Sequence, residues 1–214
     1  METEEQQVEE LKKWWKENGS SIITGVILGL AILFGTRAWF GWQENIAQQA
    51  STLYTVMLKA EEQGDAEAAS HNAGILLADF SGTPYASIAA MLLAKYRIED
   101  NELEAARTQL EWVLDNGSGD ELVDIARLRL ARLLISLEDH DAALALLDEV
   151  ESGSGQDGLV SEVRGDVYSV RGETARAADA YQEALTLMTP DYPGRHLVQL
   201  KYDNAVAMTA PVAE

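Results

Sequence analysis

Polar and apolar positions along the chain follow two regimes. The first is a near-unbroken apolar run over residues 20–42, in which no residue between Asn18 and Thr36 carries a charge. The run continues past Arg37 through Ala38, Trp39, Phe40 and Trp42. At 1.5 Å per residue a helix over residues 20–40 is about 31 Å long, which matches a hydrocarbon core of roughly 30 Å. A soluble helix needs a polar face, and this one has none. The pattern therefore predicts a transmembrane helix over 20–42, a short segment before it (1–19) and one outer domain after it (43–214).

The second regime begins near residue 48. From there the chain reads as helix after helix, rich in Ala, Leu and Glu and punctuated by short Gly or Asp turns. The helices repeat. Ala69, Ala106, Ala143 and Ala177 recur at intervals of 37, 37 and 34 residues, and Ala94, Ala131 and Gly165 share the 37 and 34 spacing. Leu110, Leu147 and Tyr181 do the same, as do Val113, Val150 and Ala184. A helix–turn–helix unit of about 34 residues, with small residues where paired helices touch, is the tetratricopeptide pattern. The stretch 158–189 matches it best, with Gly165, Tyr168, Gly172, Ala177, Tyr181 and Ala184 in the small and aromatic columns. The first unit, with Met57 and Ala73 in those columns, matches it least. The fold class is thus all-α: one N-terminal membrane helix, then a solenoid of helical hairpins.

Gly- and Ser-containing stretches at 115–121 and 152–158 suit exposed turns between hairpins and are too short to separate domains. A last helix, roughly 195–208, follows Pro190 and Pro193 and offers Leu197, Leu200 and Ala205 as an apolar face to cap the stack. The tail 209–214 is expected to fray. At the other end, Thr3 and Gln6 read as a capping box ahead of an apolar stripe of Val8, Leu11, Trp14 and Trp15. This stretch is either a short helix on the membrane surface or an extension of the span.

Charge orients the chain. Lys12, Lys13 and Lys16 precede the span, whereas Arg37 is the only base close to its far end. Orientation follows Lys and Arg, so the N-terminus is expected in the cytoplasm and the large C-terminal part in the periplasm. Trp14 and Trp15 on one side, and Trp39, Phe40 and Trp42 on the other, suit the two interfaces. A cleaved signal peptide is the competing reading, but its apolar region is shorter and ends in small residues. The whole chain has a formal charge of −20, and the part beyond the span carries 30 acids against 12 bases. Such a field argues against nucleic acid and against adsorption to anionic lipid. There is no Cys, hence no disulfide and no lipid-modified N-terminal cysteine.

No catalytic motif emerges: there is no Cys nucleophile, nucleophile elbow, phosphate loop or H-E-x-x-H. His71, His140 and His196 have no second His at i+3 or i+4, so no zinc pair forms. Neither an enzyme nor a bound cofactor or metal is expected. Binding is expected instead. The first helix of each hairpin lines the concave face of a solenoid, a common peptide surface. The family's concave positions fall on Tyr54 and Leu58, Met91 and Lys95, Leu128 and Arg132, and Glu162 and Asp166. The groove would be apolar at one end and in the middle, basic centrally and acidic at the far end. Met91 and Leu128 serve equally well as core residues. In the span, Ser21, Gly25 and Gly29 recur every four residues and offer a small face for close packing against another membrane helix.

The N-terminal stretch 4–19 (EEQQVEELKKWWKENG), the GVILGL of the span, the DNELEAARTQLE segment, the Arg127–Arg132 stretch and the acidic repeats together resemble one bacterial family. It is the ancillary SecYEG translocon subunit family, YfgM-like inner-membrane proteins with a tetratricopeptide-like periplasmic domain. The resemblance covers essentially the whole chain, and its most specific part is the first forty residues. It implies an inner-membrane protein that joins the Sec translocon. Its partners would be secreted polypeptides and a membrane-anchored, prolyl-isomerase-like periplasmic chaperone, to which it passes them. The Gly-rich loop 152–158 departs from the family pattern. Two other classes stay open: an assembly factor for another envelope machine, such as cytochrome c maturation, and a secreted protein with a cleaved signal peptide. A haem-handling role would favour extra His or Trp motifs, and the repeat region has only Trp112.

Overall fold

The computed structural model describes residues 4–153 and 155–209. Among them are nine α-helices and no strand: α1 (Glu4–Glu62), α2 (Ala66–Asp79), α3 (Pro84–Glu99), α4 (Leu103–Asn116), α5 (Asp120–Ser136), α6 (His140–Asp148), α7 (Asp157–Val170), α8 (Thr174–Leu187) and α9 (Arg195–Thr209). The chain divides into two compact units, Met1–Gln49 and Ala50–Glu214.

The first unit is helix throughout its described part. The stretch before the span is continuous with it, so of the two expected arrangements the extension is the one adopted. Thr3, the expected cap, lies outside the described residues. The apolar side chains of the span project on all sides: Ile27 is 61% exposed, Leu33 65%, Phe34 70% and Phe40 69%. The helix is long and apolar enough to cross a membrane, and in lipid this surface needs no protein partner. Its two threonine hydroxyls are satisfied locally, Thr24 donating to the Ser20 carbonyl at 2.8 Å and Thr36 to that of Ile32 at 2.9 Å. Such back-bonding keeps polar groups off the hydrocarbon. Near the end of the run the rings of Trp39 and Trp42 lie 5.4 Å apart.

The second unit is built of hairpins. Its first helix is the C-terminal end of α1, where Ala50 and Met57 pack with Ala73 and Leu76 of α2 and Ala89 of α3. The pairs α3/α4, α5/α6 and α7/α8 follow, and α9 packs on α8. The first helices of successive hairpins also touch, α3 against α5 and α5 against α7. The repeat columns read from the sequence are the seams of this packing. Ala69, Ala106, Ala131, Ala143 and Ala177 are completely buried, and Ala94 nearly so. Gly165 is buried against the face of the Tyr181 ring, where an added Cβ would collide with the ring carbons. At α9, Val198 and Ala205 bury against Ala177, Tyr181 and Ala184, so the last helix covers the apolar end of the stack. Of the expected capping face only Ala205 takes part: Leu197 and Leu200 are 55% and 52% exposed because Val198 occupies the inward side of the helix.

One turn recurs. Gly64, Asn101, Glu138 and Gly172 all adopt positive φ, between 61° and 74°. After each, the amide of Asp65, Glu102, Asp139 or Glu173 donates back across the turn to the carbonyl of Ala60, Arg97, Leu134 or Tyr168, at 2.7–2.9 Å. This is the Schellman closure, which satisfies carbonyls at a helix end. The same residue then starts the next helix, and Asp65 and Asp139 cap it by accepting from the amides of Ala68 and Ala142. Each turn thus ends one helix and begins the next within three residues. Ser154 lies outside the described residues.

Candidate partner-binding surface

The row expected to line a concave face is carried by the end of α1 and by α3, α5 and α7. Met91 and Leu128 are 4% and 2% exposed and belong to the central core. Tyr54 and Leu58 are half-buried against the first core cluster, with the Tyr54 ring 5.1 Å from that of Tyr85. Of the charged members Lys95 and Arg132 are exposed and Asp166 is half-buried, whereas Glu162 is buried.

Ion pairs lace this row across helices. The Lys95 ammonium donates to Glu61 at 2.9 Å and stands 3.9 Å from Glu99. The hydrogen bond and charge of Glu61 raise its pKa. Arg132 reaches Glu162 at 3.3 Å. Glu162, 8% exposed, also accepts from Lys201 of α9 at 2.8 Å, and Lys201 donates to Asp166 at the same distance. Burial alone would lower the Lys201 pKa, but the hydrogen bonds and charges of Asp166 and Glu162 outweigh it and the net shift is upward. Asp166 further accepts from the Tyr181 hydroxyl at 2.8 Å. Burial, with Asp166 nearby, raises the Tyr181 pKa. The acids at the far end of the row are therefore met by a lysine from the capping helix.

Between α3 and α5 the row opens into a groove of ≈ 560 Å³, within the range of ligand-binding clefts. Met91, Ile98, Leu103 and Leu133 supply apolar walls, and Lys95, Arg132 and Arg129 supply charge. Two of the expected basic residues are thus brought together, and Arg129 joins them. Arg129 makes no ion pair or hydrogen bond among the described residues. Burial within the groove, and then the charge of Arg132, push its pKa down. Sequence reasoning missed Arg129, although a signal was present. Its column in the repeat holds Leu92 one hairpin earlier and Val163 one hairpin later.

In the other unit Ser21, Gly25 and Gly29 lie on the exposed surface of α1, and a Cβ added at either glycine meets nothing within 4 Å. Among the described residues no group of three His, Cys, Asp or Glu is placed to hold a metal ion.

This chain matches a family model described as a tetratricopeptide repeat-like domain over residues 12–207. It is 32% identical to the ancillary SecYEG translocon subunit of Escherichia coli (strain K12), the alignment covering 95% of this chain and 97% of that protein. Identity is again 32% to the protein of the same name from Haemophilus influenzae, over 85% of this chain and 88% of the relative. The Neisseria gonorrhoeae protein of that name is 28% identical over 94% and 96%. Among solved structures, MamA (41 to the end) from Desulfovibrio magneticus RS-1 superposes with a TM-score of 0.55 at 16% identity. That match covers 76% of this chain and 92% of the other, and it bears on the fold alone.

Proposed function

The chain belongs to the ancillary SecYEG translocon subunit family, built on tetratricopeptide-like repeats, and from that premise we propose that it is a non-enzymatic scaffold of the Sec translocon. It crosses the inner membrane once, with its N-terminus in the cytoplasm and residues 43–214 in the periplasm. The repeats receive emerging secreted polypeptides and pass them to periplasmic chaperones, a membrane-anchored prolyl-isomerase-like protein among them. The carrying observation is that the relative of that name from Escherichia coli aligns over 95% of this chain and 97% of its own length. The apolar, outward-facing stretch of α1 supports the anchor, and the charged concave row supports protein binding over catalysis. Contact with the channel runs partly through Ser21, Gly25 and Gly29, which are exposed on α1.

The test is purification of the tagged full-length protein in mild detergent with mass spectrometry of what accompanies it. Channel subunits and a periplasmic chaperone are expected; a preparation without channel subunits would sink the proposal. The Gly25→Ile, Gly29→Ile double variant should insert normally, since Ile is at home in lipid, and should recover less of the channel. Unchanged recovery would move the contact out of the span and into the repeats.

A further inference from the structure

We propose that the groove between α3 and α5 holds an apolar peptide segment bearing a carboxylate, which pairs with Arg129 and fills a missing rung in the ion-pair row of the concave face. This rests on the scaffold reading above and names the chemistry of what the scaffold binds.

Successive helices along the concave face are joined by opposite charges: α1 to α3 through Glu61 and Lys95, α5 to α7 through Arg132 and Glu162, and α7 to α9 through Glu162, Asp166 and Lys201. The step from α3 to α5 breaks the rule. There both helices present cations, Lys95 from one and Arg129 and Arg132 from the other. Glu99, the acid at the groove's edge, is 3.9 Å from Lys95. The groove opens at this unbridged step.

Arg129 is the residue left over. The solenoid does not need a cation in this column, which is Leu92 and Val163 in the neighbouring hairpins. Nor are carboxylates scarce, in a chain with 36 acids against 16 bases. Arg129 is exposed at the groove and unpaired among the described residues, so its planar fork is free to take a carboxylate. Ile98, 44% exposed, and the half-buried Leu103 offer apolar surface that a free inorganic anion would leave wet. The acidity of the whole domain repels polyanions at long range. A single carboxylate on an apolar peptide meets both conditions: it brings little charge to the approach and still reaches Arg129 at contact.

The probe is an array of short apolar peptides synthesised in matched pairs, one member with Asp or Glu and the other with Asn or Gln at the same positions. Binding to the full-length protein in detergent is read by fluorescence polarisation. Wild type should prefer the acidic member by about tenfold, the order expected of a partly desolvated ion pair. Arg129→Gln should erase the preference and leave the amide member's affinity unchanged. Arg176→Gln, on the second helix of the last hairpin, should keep it. The proposal is overturned if wild type binds both members alike, if Arg129→Gln keeps the preference, or if no peptide binds. Channel recovery from the same preparations separates the two readings: retained channel without acid preference removes this inference alone, whereas wild type lacking channel removes the scaffold reading.

Discussion

Glu138 stands at φ 62°, in the turn position that two of the other hairpins give to glycine. A side chain there suffers the Cβ clash of the left-handed region, which costs about 1–2 kcal/mol and which glycine escapes. Asn101 shares the position with less strain, because its short polar side chain tolerates this region. Glu138→Gly should therefore raise the denaturant midpoint of the outer domain, by about 0.5–1 kcal/mol after the added freedom of the unfolded chain is subtracted. Gly172→Ala should lower it by about 1 kcal/mol for the converse reason. Midpoints that move the other way would show that the repeated turn does not hold these hairpins together.

Helix pairs meet at the small residues. Ala177 is fully buried between α8 and its neighbours, and Gly165 of α7 accommodates the ring of Tyr181 from α8. Ala177→Leu should overpack this seam and destabilise the outer domain by roughly 1–3 kcal/mol. Gly165→Ala should do the same, since the ring cannot move without giving up the Tyr181–Asp166 hydrogen bond. Equilibrium unfolding of the two variants measures this, and unchanged midpoints would break the repeat alignment that places both residues at the seam.

At the scale of the molecule the decisive quantity is the side of the membrane on which the repeats lie. Three lysines before the span and one arginine near its end point outward for the repeats. An enzyme reporter fused after Trp42 should work only if it is of the kind active in the periplasm. Activity from a cytoplasm-specific reporter at that point would place the repeats on the wrong side for secreted polypeptides.

What the sequence determined alone are the features that depend on near neighbours or on period. The apolar run of residues 20–42 is legible because membrane insertion depends on summed hydrophobicity along one helix. The buried alanines at 69, 106, 143 and 177 are legible because a repeat sets the same contact at each return. The apolar pattern by itself ends the membrane helix at residue 42, whereas α1 runs on to Glu62. Tertiary structure decided the rest. Lys201 reaches Glu162 across 39 positions, and Arg132 reaches Glu162 across 30. These pairings depend on how far each hairpin rotates against the last, and no local pattern encodes that angle. It converts the acidic end of the row into a contact with the capping helix, and leaves the α3–α5 step open with Arg129 beside it. Charge type and spacing can be read from a chain, but whether a charge is answered depends on which helices the packing brings alongside.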